Sequence, residues 1–231
     1  RVVSQPGLDP WHTINYDEAV AACAAMGAGW RLMSVWDWAA ISHWCMARGY
    51  QPKGNTDYGR AHDAKHQVAR RADGGLPGVT TGTPRTLAGS GPNEWNHDNS
   101  PAGIADLVGN VWEWQCGAKI TAGVVSLAAD NGAVTTEASW TNTGFTMPAS
   151  AAWSTISNSG ASDALKRSLI VPATGVTSPQ GYLYTDLTSE RLPLRGGGWN
   201  NAGNAGLAAL NLTGARGSRY THLGFRPAFV P

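Results

Sequence analysis

Long apolar runs, an imbalance of charge and any paired-cysteine motif are all missing from this chain of 231 residues. No apolar stretch approaches the roughly 18 residues of a membrane-spanning helix, so direct membrane insertion is not expected. The net charge is +1 and only 14% of residues are charged. Such a chain lacks the electrostatic footprint of a nucleic-acid or acidic-membrane binder. Cys23, Cys45 and Cys116 stand at spacings of 22 and 71 with no CxxC or Cys/His finger, which argues against a zinc ribbon. They read either as three buried, reduced thiols or as one disulfide with one free thiol. The first ten residues lack the apolar stretch of a signal peptide, and a chain opening on Arg1 reads as a fragment or a processed form. No period of 20–50 residues repeats, so a solenoid is not expected.

Ordinary core formers are also scarce. Leu, Ile, Val and Phe make up 39 of the 231 residues, with only 3 Phe. A shortage of that kind signals disorder only when joined to high net charge, and here the charge is balanced. Eleven Trp supply the missing bulk, each able to bury about 200 Å². The composition is that of a folded chain, loop-rich and dependent on Trp and Gly.

Two helices are predicted near the start. Asn15 or Thr13 caps the first, which runs through Asp17, Glu18, Val20 and Cys23 to Gly27 and Gly29, with its acidic residues in the first turn. Ser34 caps the second, with Asp37 at the third helical position, and Gly49 closes it. Trp36, Trp38 and Trp44 cover more than one face, so this helix is expected to lie buried between layers. From residue 51 to 100, Gly, Pro, Asn and Asp dominate and apolar periodicity is weak. His62 and His66 have metal spacing if helical, but without a third ligand a solvated face is the better reading. Val111, Trp112, Glu113 and Trp114 alternate as a strand does. Residues 117–190 read as an insertion of short strands and loops, with runs at 120–127 and 181–187, and not as a second core. Strands are expected at 194–199, 207–212 and 223–230.

Three segments are distinctive in combination: Gly29-Trp-Arg-Leu-Met-Ser-Val-Trp-Asp-Trp38, Leu107-Val-Gly-Asn-Val-Trp-Glu-Trp114, and Arg195-Gly-Gly-Gly-Trp-Asn-Asn201 followed by Gly224-Phe-Arg226. Their order and spacing resemble the C-type lectin fold in its formylglycine-generating-enzyme (sulfatase-modifying-factor) branch. The resemblance covers most of residues 10–116 and 190–231. It implies one α+β domain over residues 1–231, with two helices near the N-terminus packed on small twisted antiparallel sheets.

Within that branch, residues 195–226 resemble the variable region of the variable proteins of diversity-generating retroelements. Such elements mutate adenines, so Asn codons become codons that cannot encode Lys, Glu, Gln, Met or Trp. Those five types number 29 in the chain, which would put about three among the 23 positions 200–222; none is there. By resemblance, the hypervariable ligand-binding positions are Gly198, Asn200, Asn204, Ala208, Asn211, Thr213, Gly214, Ser218, Tyr220 and His222. Trp199, Gly224, Phe225 and Arg226 form the fixed frame. Leu207, Leu210, Leu212, Leu223 and Phe225 can anchor the segment inward while the residues between them vary. Tyr220 and His222 are the best contact candidates, because aromatic rings give area at low entropy cost. The plainer alternative is an ordinary strand–loop–strand with exposed polar residues.

The expected function is non-catalytic recognition of a protein or cell-surface ligand by this diversified surface. No compartment follows from the sequence, although a viral particle or a cell surface would suit such display. An enzyme of the sulfatase-modifying-factor branch is the alternative. Formylglycine formation there uses two cysteines near the C-terminal motif, and this chain has no Cys after Cys116; the thiolate chemistry is therefore lacking. A sulfoxide synthase would need a His-rich iron site, which only His62 and His66 could begin. A third role is a structural component of a viral or other particle. No cofactor is required by any binding role. One metal site follows from the resemblance: Asp106 and Glu113 carboxylates with the Gly109 and Val111 carbonyls would offer hard oxygen ligands to Ca²⁺. The alternative for Glu113 is pairing with an Arg in a buried motif.

Overall fold

Both N-terminal helices begin at side-chain caps spelled out in the sequence. In the computed structural model, which describes residues 2–130, 136–176 and 178–231, α1 spans Tyr16–Ala24 and α2 spans Val35–Ala47. Asn15, and not Thr13, caps α1: its Oδ1 accepts from Glu18 N at 2.9 Å, and Glu18 Oε2 accepts from Asn15 N at 3.1 Å. Ser34 and Asp37 close the equivalent box on α2, and Arg31 clamps the Asp37 carboxylate from the strand before it. Reciprocal capping satisfies two orphan N–H groups at once. α2 is not enclosed between layers as expected. Val35, Trp38, Ala39, Ser42 and Cys45 form one buried face, whereas Trp44 is exposed and stacks with His97 and Arg48. Trp38 is fixed inward by its indole N–H, which donates to Leu207 O at 2.8 Å.

The main sheet has six strands: β2 (Trp112–Trp114), β6 (Ala151–Ala152), β7 (Tyr182–Thr185), β8 (Leu194–Gly196), β9 (Gly206–Leu212) and β10 (Leu223–Phe225), in the order β10-β2-β8-β9-β7-β6. The expectation of antiparallel sheets needs correction, since β10 runs parallel to β2 and β7 parallel to β9. A two-stranded sheet joins β1 (Trp30–Leu32) to β11 (Pro227–Phe229) and brings the two ends of the chain together. A three-stranded sheet holds β3 (Ala118–Thr121), β4 (Val124–Leu127) and β5 (Thr141–Thr146). The expected strand at 223–230 is thus split by Arg226 between two sheets.

One face of the main sheet carries Trp112, Trp114, Leu194, Ala209 and Leu223, packed with Ile14, Tyr16 and Ala19 from α1 and the residue pair leading into it. Leu183, Leu210 and Leu212 lie on the other face with Val35 of α2. The second cluster continues through Ile120, Val125, Met147, Leu165 and Ile170, so the 117–190 insertion does bring a buried core, fused to the sheet. Its single-turn helix α3 (Asp163–Arg167) is too short to show periodicity in sequence. All three cysteines are free and buried.

Residues 51–110 have almost no regular structure, and buried polar side chains share their interior with a small apolar cluster of Ala61, Ala64, Ala69 and Trp95. Asn110 accepts from Thr86 N at 2.7 Å and donates to Thr86 O at 3.0 Å, while Asn55 donates to Pro84 O at 2.8 Å and accepts from Gly59 N at 2.6 Å. The buried Arg71 guanidinium pairs with Asp73 and donates to the carbonyls of Leu76, Val79 and Thr81, gathering a loop around itself. Buried polar groups persist only when bonded in this way. Gly109, which has φ +75°, lets this region reach the sheet: a Cβ there would lie 2.1 Å from Asn55 O. His62 is not on a helix and bonds Thr56, while His66 is exposed, so the pair forms no metal site. Among the described residues no helix is long and apolar enough to cross a membrane.

Candidate functional site

The open end of the main sheet is floored by Trp112 and Trp199, 4% and 9% exposed. Around that floor a chain of contacts runs through the candidate positions. Tyr220 stacks on His222 with ring centroids 5.4 Å apart, and His222 meets the Trp199 ring edge-on at 6.1 Å. Gly198 donates its N–H to Asn201 Oδ1 at 2.7 Å and sits against the Trp112 indole. Trp112 contacts Tyr184 edge-on at 5.9 Å, and Asn204 Nδ2 donates to Tyr184 Oη at 3.1 Å. Asn211 is the register partner of Tyr184 on the same face, and its Oδ1 accepts from Thr213 N and Oγ1, both at 2.8 Å. Asn200, Asn204, Thr213 and Tyr220 are exposed; Asn211, Ser218 and His222 are half-buried. Contacts therefore link Asn204, Asn211, Thr213, Tyr220 and His222 to one aromatic floor, with Asn200 directly after Trp199. Ser218 lies on the same loop as Thr213 and Tyr220.

Three of the ten positions differ from expectation. Ala208 is fully buried against Ala39, Trp153 and Leu169, so it cannot touch a ligand. Gly214 is buried, and a Cβ there would come within 2.8 Å of the Trp114 ring and 3.0 Å of Leu194. Gly198 is also buried, with room for a Cβ only at 3.3–3.4 Å from Asn201 and Trp112. These are positions of the frame. Of the expected anchors, Leu207, Leu210, Leu212 and Leu223 are buried, and Phe225 is half-buried against the same core.

Arg85, 6.0 Å from the Trp199 ring, pairs with Asp9 beside this face. Burial lowers the His222 pKa from its ordinary 6.5, so the ring is neutral at pH 7. Arg216 is paired with Asp17, Glu137 and Glu190, and Arg219 with Glu18. Those pairs tie the 213–219 turn to α1 and to the insertion.

Sequence reasoning missed two contributors. Tyr182 and Tyr184 come from the insertion and stack at 4.7 Å beside Asn204; their period-two spacing in a β-like run was the available signal. A shallow cleft lined by Gln51, Lys53, His62, Asp63, Val108 and Gly206 adjoins the 202–204 turn, where Gln180 Nε2 donates to Gly203 O at 2.8 Å.

The calcium set fails on geometry. Glu113 accepts from Arg226 at 3.0 and 2.7 Å, and the same guanidinium donates to Ala105 O at 3.0 Å and Asp106 O at 3.4 Å. Asp106 Oδ2 accepts from Gly89 N at 2.7 Å, and burial raises its pKa above the ordinary carboxylate value. A guanidinium thus takes the carboxylate a cation would need, so Asp106, Gly109, Val111 and Glu113 do not fit Ca²⁺. Among the described residues no group of three or more His, Cys, Asp or Glu side chains is placed to hold a metal. Burial also pushes the Cys23 and Cys116 thiols up to about 12, away from the thiolate a nucleophile requires. No protein-family model matches the chain, and no curated protein matches it either.

Proposed function

We propose that the chain is a non-catalytic recognition domain of C-type-lectin-like architecture, whose aromatic and amide face binds a protein ligand. The variable proteins of diversity-generating retroelements are its nearest functional analogy. The observation carrying this reading is the segregation within one segment: outward Asn, Thr and Tyr side chains over a buried Trp112–Trp199 floor, with Leu anchors on the inside. Tyr and Asn on a rigid frame give contact area and adaptable hydrogen bonds at low entropy cost, as in antibody paratopes. The β1–β11 pairing and the two helices near the chain start suit such a frame. Buried, high-pKa thiols support binding over cysteine oxidation. Display on a particle or a cell surface would suit this role.

Sequencing the surrounding locus tests the reading. An adenine-rich near-repeat of the codons for residues 198–226 beside a reverse transcriptase gene is expected; a locus with neither overturns the retroelement assignment. Oxidation of a cysteine-containing sulfatase peptide by the purified protein would overturn the non-catalytic one.

A further inference from the structure

Helix α1 and strand β1 do not close on each other. Tyr16, Val20 and Ala24 follow at four-residue intervals and share one side of α1. Trp30 and Leu32 share one face of β1. Val20 and Ala24 are too short to fill the space between these two surfaces, and a cavity of about 110 Å³ remains there. Protein interiors are close-packed and rarely leave such a gap; an apolar cavity of about 150 Å³ admits a benzene ring. Ala24 and Asp17 are exposed at the rim beside the half-buried Glu137, whereas the buried Tyr16, Leu32 and Cys116 form the inner wall.

Two polar features mark this cavity. Tyr16 is only 2% exposed, yet among the described residues nothing hydrogen-bonds its hydroxyl. The oxygen is not sealed in protein either, so it opens on the cavity that its side chain lines. A buried hydroxyl left without a partner is costly. The other feature is charge. Asp17, Glu137 and Glu190 are joined through Arg216 and Lys119 in one network, where three carboxylates against two cations leave one negative charge over. Arg31, which also lines the cavity, is matched by Asp37. Arg216 brings the two features together: its guanidinium lies 5.1 Å from the Tyr16 ring and bonds Asp17 Oδ1 at 2.8 Å and Glu137 Oε2 at 2.7 Å. Asp17 Oδ2 has no partner among the described residues.

We propose that this cavity binds a small primary ammonium ion with a short apolar tail. The tail lies between Val20, Ala24 and Leu32, and the ammonium group is held at the rim by Asp17 and Glu137, beside the Tyr16 hydroxyl. Its charge balances the surplus carboxylate of the network, its N–H groups suit acceptor oxygens, and its tail fills the space that α1 and β1 leave. The site does not depend on what the aromatic face binds.

Titration of the full chain with n-butylammonium chloride at constant ionic strength, followed through its amide NMR shifts, tests this. Saturable shifts at Tyr16, Val20, Leu32 and Cys116 are expected, with a Kd on the order of 1 mM for so small a molecule. The neutral 1-butanol should bind at least about tenfold more weakly, because it forfeits the charge-assisted bonds, and butyrate should not bind. Asp17→Asn should raise the Kd about tenfold and Tyr16→Phe about fivefold. Ala24→Leu fills the cavity from its exposed end and should abolish the shifts; Ala24 and Asp17 are both exposed, so these two variants keep the core intact. Shifts that never saturate, 1-butanol binding as tightly as n-butylammonium, or an unchanged Kd in Asp17→Asn or Ala24→Leu would each overturn the proposal.

Discussion

Asn211 and Ala208 stand three residues apart on β9, on opposite faces of one sheet. Asn211 looks out beside Tyr184 and bonds only its own turn at Thr213. Ala208 is sealed under α2 against Trp153 and Leu169. The same contrast separates Tyr220, exposed on a loop, from Gly214, wedged under the Trp114 ring. Tolerance to substitution here is set residue by residue by which face a side chain takes. It is not a property of the segment as a whole.

The largest effect should come from the sealed side. Ala208→Asn buries an unpartnered amide and overfills the layer, costing about 3 kcal/mol. Thermal denaturation should show a melting temperature lower by roughly 6–12 °C; an unchanged value would erase the distinction between the faces. Gly214→Asn comes next, since its Cβ must displace the Trp114 ring or Leu194, at about 1–3 kcal/mol. Chemical denaturation, read as a midpoint shift at constant slope, measures it.

Residues 51–110 sharpen the contrast, because there buried polar side chains join the small Ala61, Ala64, Ala69 and Trp95 cluster in the interior. The Arg71 guanidinium, through its hydrogen bonds, holds the Asp73 carboxyl at about 2 against an ordinary 3.8. A folded pKa depressed in this way adds stability above the unfolded value, which is lost as pH falls from about 4 through 2. Asp73→Asn should flatten the stability profile in that window and leave its shape above pH 5 unchanged, as measured by denaturant titration at each pH. The smallest effects belong to the open face. Asn200→Tyr, Asn204→Ser and Tyr220→Asn should each stay within about 0.5 kcal/mol.

Much of this frame could be read directly. The Ser34–Asp37 box and the strand at Trp112–Trp114 announce themselves through capping chemistry and period-two alternation, whereas the single run expected at 120–127 proves to be most of a hairpin of β3 and β4. Residues 51–110 could not be read, because bonds such as Asn110 to Thr86 and Arg71 to three carbonyls leave no apolar period. Ala208 was misplaced because it sits in Leu207-Ala-Ala-Leu210, where every residue is buried and alternation gives no clue to facing. Gly214 could not be excluded without seeing Trp114. Tyr182 and Tyr184 stand far from the recognised segment in sequence and reach it only through the β7–β9 pairing.

The central claim is that seven side chains change freely on a backbone held by Trp, Leu and Gly. A library randomised at positions 200, 204, 211, 213, 218, 220 and 222, scored clone by clone for cooperative thermal unfolding, tests it most directly. Most clones should fold with melting temperatures within about 2–4 °C of the parent, equivalent to about 1 kcal/mol. Widespread loss of cooperative unfolding would contradict it.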